Sequence, residues 1–301
     1  MALISLDTRK KGEAMNIGLV LSGGFAKGAY QLGALYAIKE FVPVEDIKCI
    51  SSASIGTPNA YAFATDKLEK IEGMWHNFVD TNTRMFITKI LQSSLLQQDI
   101  RSLYDPSDKL ENPFYVSLWD VASISDSASC YKDLSKVPSE DITDYLRASI
   151  SFPIYNKAIE IGESRYFDGG FVDNIPVYPL VEHDLDYIIC VYFDDISYRF
   201  ENSQFDDRII KITFPNMSNI KNSFIITQEE IDKMIEEGYE RTMHILRSIF
   251  ANGYDDLDHV YKSIIYHNKQ LGDPKLRLTT DVVITNVNKL LSRFAKRKNI
   301  L

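Results

Sequence analysis

The sequence predicts an α/β fold with a parallel sheet covered by helices, and three stretches point to it. Asn16 to Leu21 (NIGLVL) is a short apolar run suited to a buried strand, and a glycine-rich turn and a helix-like stretch follow it. Asp46 to Ile50 repeats the pattern, leading into a serine-rich turn and a second helix-like stretch at Tyr61 to Ala64. Tyr187 to Phe193 (YIICVYF) is nearly all apolar and rich in β-formers, as befits a strand buried on both faces. Strand–helix–strand–helix order at the start of a chain implies parallel strands joined by crossover helices.

The remaining elements follow in order. Ala29 to Phe41 carries Leu32, Leu35, Tyr36 and Phe41 near helical spacing, and Pro43 ends it. Asp66 to Val79 reads as an amphipathic helix, and Met85 to Leu96 as a second apolar helix with polar gaps. Such stripes serve either as a cap over a site or as a plain core layer. Tyr104 to Pro113 is turn-rich; Tyr115 to Trp119 and Ala128 to Tyr131 are strand candidates. Asp141 to Ala148 is a helix, Ala158 to Ile161 leads to a turn at Gly162–Ser164, and Asp168-Gly169 carries a hairpin signal. Arg208 to Phe214 is a further strand, and Thr227 to Phe250 is a long helix opened by a Thr227/Glu230 capping box.

Composition narrows the function classes. The chain has 301 residues, 45% hydrophobic and 25% charged, in the range of ordinary globular proteins. A formal net charge of −9 argues against nucleic acid as a partner. The three cysteines, Cys49, Cys130 and Cys190, sit in apolar contexts without metal or redox spacing, which favours reduced thiols and a cytoplasmic setting. No apolar run reaches the roughly 18 residues needed to span a membrane. Residues 1–15 lack a signal-peptide pattern and read as a flexible leader. Asp255, Asp256 and Asp258 lack calcium-loop spacing, and no metal or cofactor is expected.

Two turns carry chemistry. In Ser52-Ala53-Ser54-Ile55-Gly56, a small-x-Ser-x-Gly turn between strand and helix has the setting of a nucleophile elbow, a sharp turn that presents a serine above a sheet edge. The alternative is a serine-rich turn without catalysis. Ser22-Gly23-Gly24-Phe25-Ala26-Lys27-Gly28 has neither Walker nor dinucleotide spacing. It reads either as an anion cradle at a helix N-terminus or as a tight turn and nothing more.

Taken together, four blocks resemble the patatin-like phospholipase family: Leu21 to Gln31 (LSGGFAKGAYQ), Ser52 to Ala60 (SASIGTPNA), Arg147 to Pro153 (RASISFP) and Asp168 to Pro176 (DGGFVDNIP). The resemblance covers about Asn16 to Leu180 and implies a core domain at 16–180 that residues 181–301 complete. It implies a three-layer α/β/α sandwich with a mostly parallel central sheet, and a lipid acyl hydrolase working through a Ser–Asp dyad without histidine. Ser54 matches the nucleophile and Asp168 the general base. Gly23, Gly24 and Phe25 match the oxyanion loop, Lys27 its basic residue, and Gly28 and Ile55 complete the oxyanion and substrate-binding set. Two positions depart from the family pattern, where glycine is usual: Phe25 in the loop and Ser52 in the elbow.

The implied partner is a phospholipid or other acyl lipid. Two rivals remain: a Ser54…Asp168…His triad drawing on His244, His259 or His267, and a catalytically silent lipid-binding protein. Lys289 to Leu301 interleaves five basic residues with apolar ones, the composition of a peripheral contact with an anionic membrane or of a solvated helix end.

Overall fold

The computed structural model describes residues 14–77, 85–86, 94–121, 129–153, 155–193, 197–200, 203–214 and 225–277. Its strands are β1 (Ile17–Leu21), β2 (Ile47–Ala53), β3 (Met85–Phe86), β4 (Phe114–Asp120), β5 (Ser129–Asp133), β6 (Ile159–Ile161), β7 (Ser164–Asp168), β8 (Tyr187–Tyr192), β9 (Tyr198–Phe200), β10 (Ile209–Thr213), β11 (Ile225–Ile226) and β12 (Lys275–Arg277). Its helices are α1 (Gly28–Phe41), α2 (Gly56–Ala64), α3 (Leu68–Asn77), α4 (Ser94–Leu103), α5 (Ser139–Ser149), α6 (Ser203–Asp206), α7 (Gln228–Ile249) and α8 (Leu257–Gln270).

The central sheet runs β10-β8-β1-β2-β4-β7-β6, with β5 also paired to β4. From β10 to β4 the neighbours are parallel. β7, β6 and β5 join antiparallel. This is the α/β architecture with a mostly parallel sheet that the sequence predicts.

Side chains alternate across the sheet and so build two cores. Leu19, Leu21, Ile189 and Val191 join the larger core with Leu32 of α1, Leu246 of α7 and Ile264 of α8. Val20, Ile188, Cys190 and Tyr192 join the second with Val177, Leu180 and Phe200. The layers are thus the helices, the sheet, and a cover of β9 and short helical turns. Every residue of β8 is buried, which explains its unbroken apolar sequence.

Two segments differ from expectation. Within the expected Met85–Leu96 helix, Met85–Phe86 instead pairs antiparallel with Ile225–Ile226, Ser94 onward is helical, and residues 87–93 lie outside the described residues. Apolar spacing alone does not separate a short paired strand from a helix turn. Leu96, Ile100 and Leu103 of α4 belong to the larger core, so this helix is a core layer. The hairpin turn lies at Gly162–Glu163, between β6 and β7, and Asp168-Gly169 instead enters a single 3-10 turn.

Local signals elsewhere hold. Thr227 accepts from the Glu230 amide while Glu230 accepts from the Thr227 amide, a capping box that contributes about 1 kcal/mol to starting α7. Asp256 caps α8 by accepting from the His259 amide. The thiols of Cys49 and Cys190 are buried, and burial pushes the pKa of each up to about 12. Among the described residues no acidic, His or Cys cluster could hold a metal ion, and no helix is long and apolar enough to cross a membrane. The basic segment 289–301, the leader up to residue 13 and the Cys130 side chain lie outside the described residues.

Candidate active site

Ser54 leaves the carboxyl end of β2 and enters α2. Its backbone is left-handed, with φ +52, and that sharp turn stands the hydroxyl above the sheet edge. The close approach of strand and helix shows at Gly56, where a Cβ would lie 2.7 Å from the carbonyl oxygen of Leu21. Ser52, where the elbow usually has glycine, is fully buried, and its hydroxyl is 3.1 Å from Thr57 Oγ1 and 3.4 Å from the Tyr115 carbonyl. That departure is accommodated without an unpaired hydroxyl.

Asp168 ends β7, and β4 lies between it and β2. Ala53 pairs with Ser117 of β4, and Leu118 pairs with Asp168. The chain after Asp168 passes against β4 at Gly169, where a Cβ would stand 2.1 Å from the Ser117 carbonyl, so only glycine fits. The Asp168 amide donates to the Ser151 carbonyl at 3.0 Å, which ties the 147–153 block to the acid.

These elements bring the two sequence-predicted residues together. Ser54 Oγ donates to Asp168 Oδ2 at 2.6 Å, and the Gly170 amide donates to Oδ1 at 2.8 Å. Asp168 is 3% exposed and Ser54 9% exposed. Burial pushes the Asp168 pKa up to about 7, against the opposing pull of the hydrogen bonds from Ser54 and Gly170.

The glycine-rich turn lies directly against the serine. A Cβ on Gly23 would be 2.3 Å from Asn174 Oδ1 and 2.7 Å from Ser54 Cβ. The Gly23 amide donates to the Asn174 carbonyl at 3.2 Å, and Asn174 Nδ2 donates back to the Gly23 carbonyl at 3.1 Å. Gly23 therefore shapes the turn with its amide already engaged. Gly24 and Phe25 open a 3-10 turn, and Ile55 is the N-cap of α2. Amides at such starts have no partner inside the helix they begin. Phe25 has φ +53, the conformation that a glycine would adopt freely. Its ring is 40% exposed and packs on Phe152 at 5.2 Å, which meets Phe171 at 4.4 Å. Lys27 Nζ stands 6.0 Å from the centroid of Phe193. Gly28 starts α1, with its amide bonded back to Ala26 and Phe25, and its carbonyl accepts from Asn59 Nδ2.

A buried polar brace that sequence reasoning missed supports this turn. Gln31 Nε2 donates to the Ser22 carbonyl at 2.7 Å, Asn59 Nδ2 to Gln31 Oε1 at 3.2 Å, and Trp75 Nε1 to Asn59 Oδ1 at 3.2 Å. Polar residues at buried positions of otherwise apolar helices were the available signal.

The histidines lie elsewhere. His183 bonds to Tyr115 Oη, His267 to the Lys211 carbonyl and His259 to Ser263; His76 Nε2 stands 2.8 Å from Asp232 Oδ1, and His244 is exposed on α7. None of the five hydrogen-bonds to Ser54 or Asp168.

Lysophospholipase NTE1 of Cryptococcus neoformans var. neoformans serotype D, in each of two strains, is 27% identical over 189 residues, 58% of this chain and 11% of the relative. The chain thus spans about a tenth of the length of these curated relatives. Among solved structures, VipD from Legionella pneumophila aligns with a TM-score of 0.47 at 14% identity, over 85% of this chain and 74% of that one. The heterodimeric ExoU–SpcU complex of the Pseudomonas aeruginosa type III secretion system aligns with a TM-score of 0.36 at 16% identity, over 86% and 58%. The model of the patatin-like phospholipase family matches residues 19–181, more than half of the 301. That match runs from within β1 through the glycine-rich turn, the Ser54 elbow and the Asp168 loop, and the chain belongs to the patatin-like phospholipase family.

Proposed function

We propose that the protein is a lipid acyl hydrolase that cleaves carboxylic esters of phospholipids or lysophospholipids through Ser54 and Asp168. The observation that carries the reading is the 2.6 Å hydrogen bond from Ser54 Oγ to a buried carboxylate. Ser54 attacks the acyl carbonyl as its proton passes to Asp168. Asp168 returns that proton to the leaving alcohol, and an acyl-enzyme remains. Water then gives its proton to Asp168 and attacks the acyl-enzyme, and Asp168 passes that proton to Ser54 Oγ as the fatty acid leaves.

A carboxylate is an ordinary base only near pH 4, so base catalysis at neutral pH needs a raised pKa. Burial provides it at Asp168. The amides of Gly24, Phe25 and Ile55 are the oxyanion donors in this reading. Each such donor typically stabilises the transition state by about 3 kcal/mol. The α2 N-terminus adds a favourable dipole beside the developing charge. Phe152 and Phe171 offer an apolar surface for the acyl chain, and the Phe25 ring packed on Phe152 narrows its approach. The placement of the five histidines, none bonded to Ser54 or Asp168, weighs against a triad, and the satisfied Ser52 hydroxyl weighs against a silent lipid binder.

Purified protein incubated with a panel of phospholipids, lysophospholipids and neutral lipids is expected to release fatty acid. Ser54→Ala should abolish release and labelling by a fluorophosphonate at an unchanged thermal melt. Equal release by the folded variant would overturn the assignment.

A further inference from the structure

Behind the glycine-rich turn lies a buried charge that the reaction does not use. Asp173 is fully buried, five residues after Asp168. Its Oδ1 accepts from Arg277 Nη2 at 2.7 Å and from the Ile175 amide at 3.2 Å; its Oδ2 accepts from Tyr131 Oη at 2.6 Å. Arg277 is 9% exposed, stacks over Tyr198 at 5.2 Å, and its carbonyl accepts from Tyr178 Oη at 2.8 Å. It sits on β12, which pairs with β9, well beyond the residues 19–181 that define the family.

The next residue after Asp173 is Asn174, which holds Gly23 by both of its hydrogen bonds. We propose that Arg277 is a positioning residue for the oxyanion loop. By neutralising and orienting Asp173 it fixes Asn174, and through Asn174 it holds Gly23-Gly24-Phe25 against Ser54. The proposal rests on the hydrolase reading above for its catalytic consequence, though not for its geometry.

The physical reason is that a buried carboxylate without its cation does not stay in place. It must take up a proton or draw in water, and either change moves the segment that carries it. Burial already pushes the Asp173 pKa upward, and the Arg277 guanidinium opposes that push. Asp173 and Asn174 share one peptide, and Gly23 is tied to Asn174 by two hydrogen bonds while packing against Ser54, where a Cβ on Gly23 would lie 2.7 Å from Ser54 Cβ. Small displacements of this kind lower catalysis strongly while leaving ground-state binding nearly alone.

The test uses the full chain with Arg277→Gln and Arg277→Lys. Three quantities are measured on each: turnover of a short-chain nitrophenyl ester, the thermal melt, and amide exchange at Gly23. In folded Arg277→Gln, kcat is expected to fall about 100-fold with KM changed less than about threefold. The Gly23 amide should exchange faster in step, and Arg277→Lys should fall between wild type and Arg277→Gln in both readouts. A folded Arg277→Gln with wild-type kcat, or with wild-type Gly23 exchange, would overturn the proposal. So would a loss of kcat no larger than the loss of folded fraction at the assay temperature. Should Arg277→Gln not fold, a folded Arg277→Lys with wild-type kcat and exchange would overturn it instead. If wild type shows no Ser54-dependent turnover, the hydrolase reading fails, and Gly23 exchange in the variants still decides the positioning.

Discussion

Phe25 and Ser54 share a backbone conformation that neither side chain favours: φ is +53 at Phe25 and +52 at Ser54. Each left-handed non-glycine residue stores about 1–3 kcal/mol of strain. At Ser54 the strain aims the hydroxyl at Asp168. At Phe25 it bends the loop just after Gly23, which packs so close to the elbow that a Cβ on it would lie 2.7 Å from Ser54 Cβ. The two strained residues thus flank the position where the ester carbonyl would sit in the proposed reaction.

Phe25→Gly removes one of these strains together with the ring contact to Phe152. An aromatic pair contributes about 0.5–1.5 kcal/mol, close to the strain released. The melt should move by less than about 1 kcal/mol equivalent, and hydrolysis of a nitrophenyl ester should be kept or raised. A collapse in turnover at an unchanged melt would give Phe25 a direct role in binding the acyl chain.

Asp168→Asn keeps shape and an acceptor oxygen and loses the ability to take a proton. Turnover should drop by about three orders of magnitude or more, as for Ser54→Ala. Replacing His76, His183, His244, His259 and His267 one at a time by Gln or Asn should leave most activity. One folded histidine variant as inactive as Ser54→Ala would restore the triad.

The pH dependence follows from the raised pKa of Asp168. The base must be ionised to accept the serine proton, so kcat/KM should rise with pH and level off above an apparent pKa of about 7. An acid limb centred near pH 4 in a full pH–rate profile would show that the carboxylate is not desolvated in the working enzyme.

The same group opposes folding at neutral pH. Its folded pKa is raised above the usual carboxylate value, so the folded state holds its proton more tightly than the unfolded chain. Stability from this group is fully present below about pH 4 and is lost as pH rises towards about 7. Asp168→Asn removes that dependence. Its melting temperature should gain on wild type as pH goes from about 4 to about 7 and stay level above. A gain independent of pH would mean that ionisation of Asp168 is not the cause.

Gly23→Ala should fold less stably and lose turnover, because its Cβ meets Asn174 Oδ1 at 2.3 Å and Ser54 Cβ at 2.7 Å. Relief requires moving the turn, and a shift of about 1 Å there lowers rate about 100-fold. A melt and a turnover equal to wild type would show that the turn has room the geometry denies.

What depends on near neighbours was legible in the sequence. Apolar runs located β1, β2, β8 and β10, and the Thr227/Glu230 pair located the start of α7, because strand burial and helix capping are set by a few adjacent residues. Ser54 and Asp168 came from ordered motifs that resemble a family, and their contact then appeared at 2.6 Å. The glycines at 23, 56 and 169 were visible as small residues, while the atoms they avoid were not. Only the tertiary structure decided that Met85–Phe86 pairs with Ile225–Ile226, that Asn174 reaches Gly23, and that Arg277 neutralises Asp173. It also decided that burial raises the Asp168 pKa. These relationships join residues more than a hundred positions apart, or depend on the removal of water. Strand pairing and charge compensation at that distance are selected by the assembled core, and no local pattern of residue types encodes them.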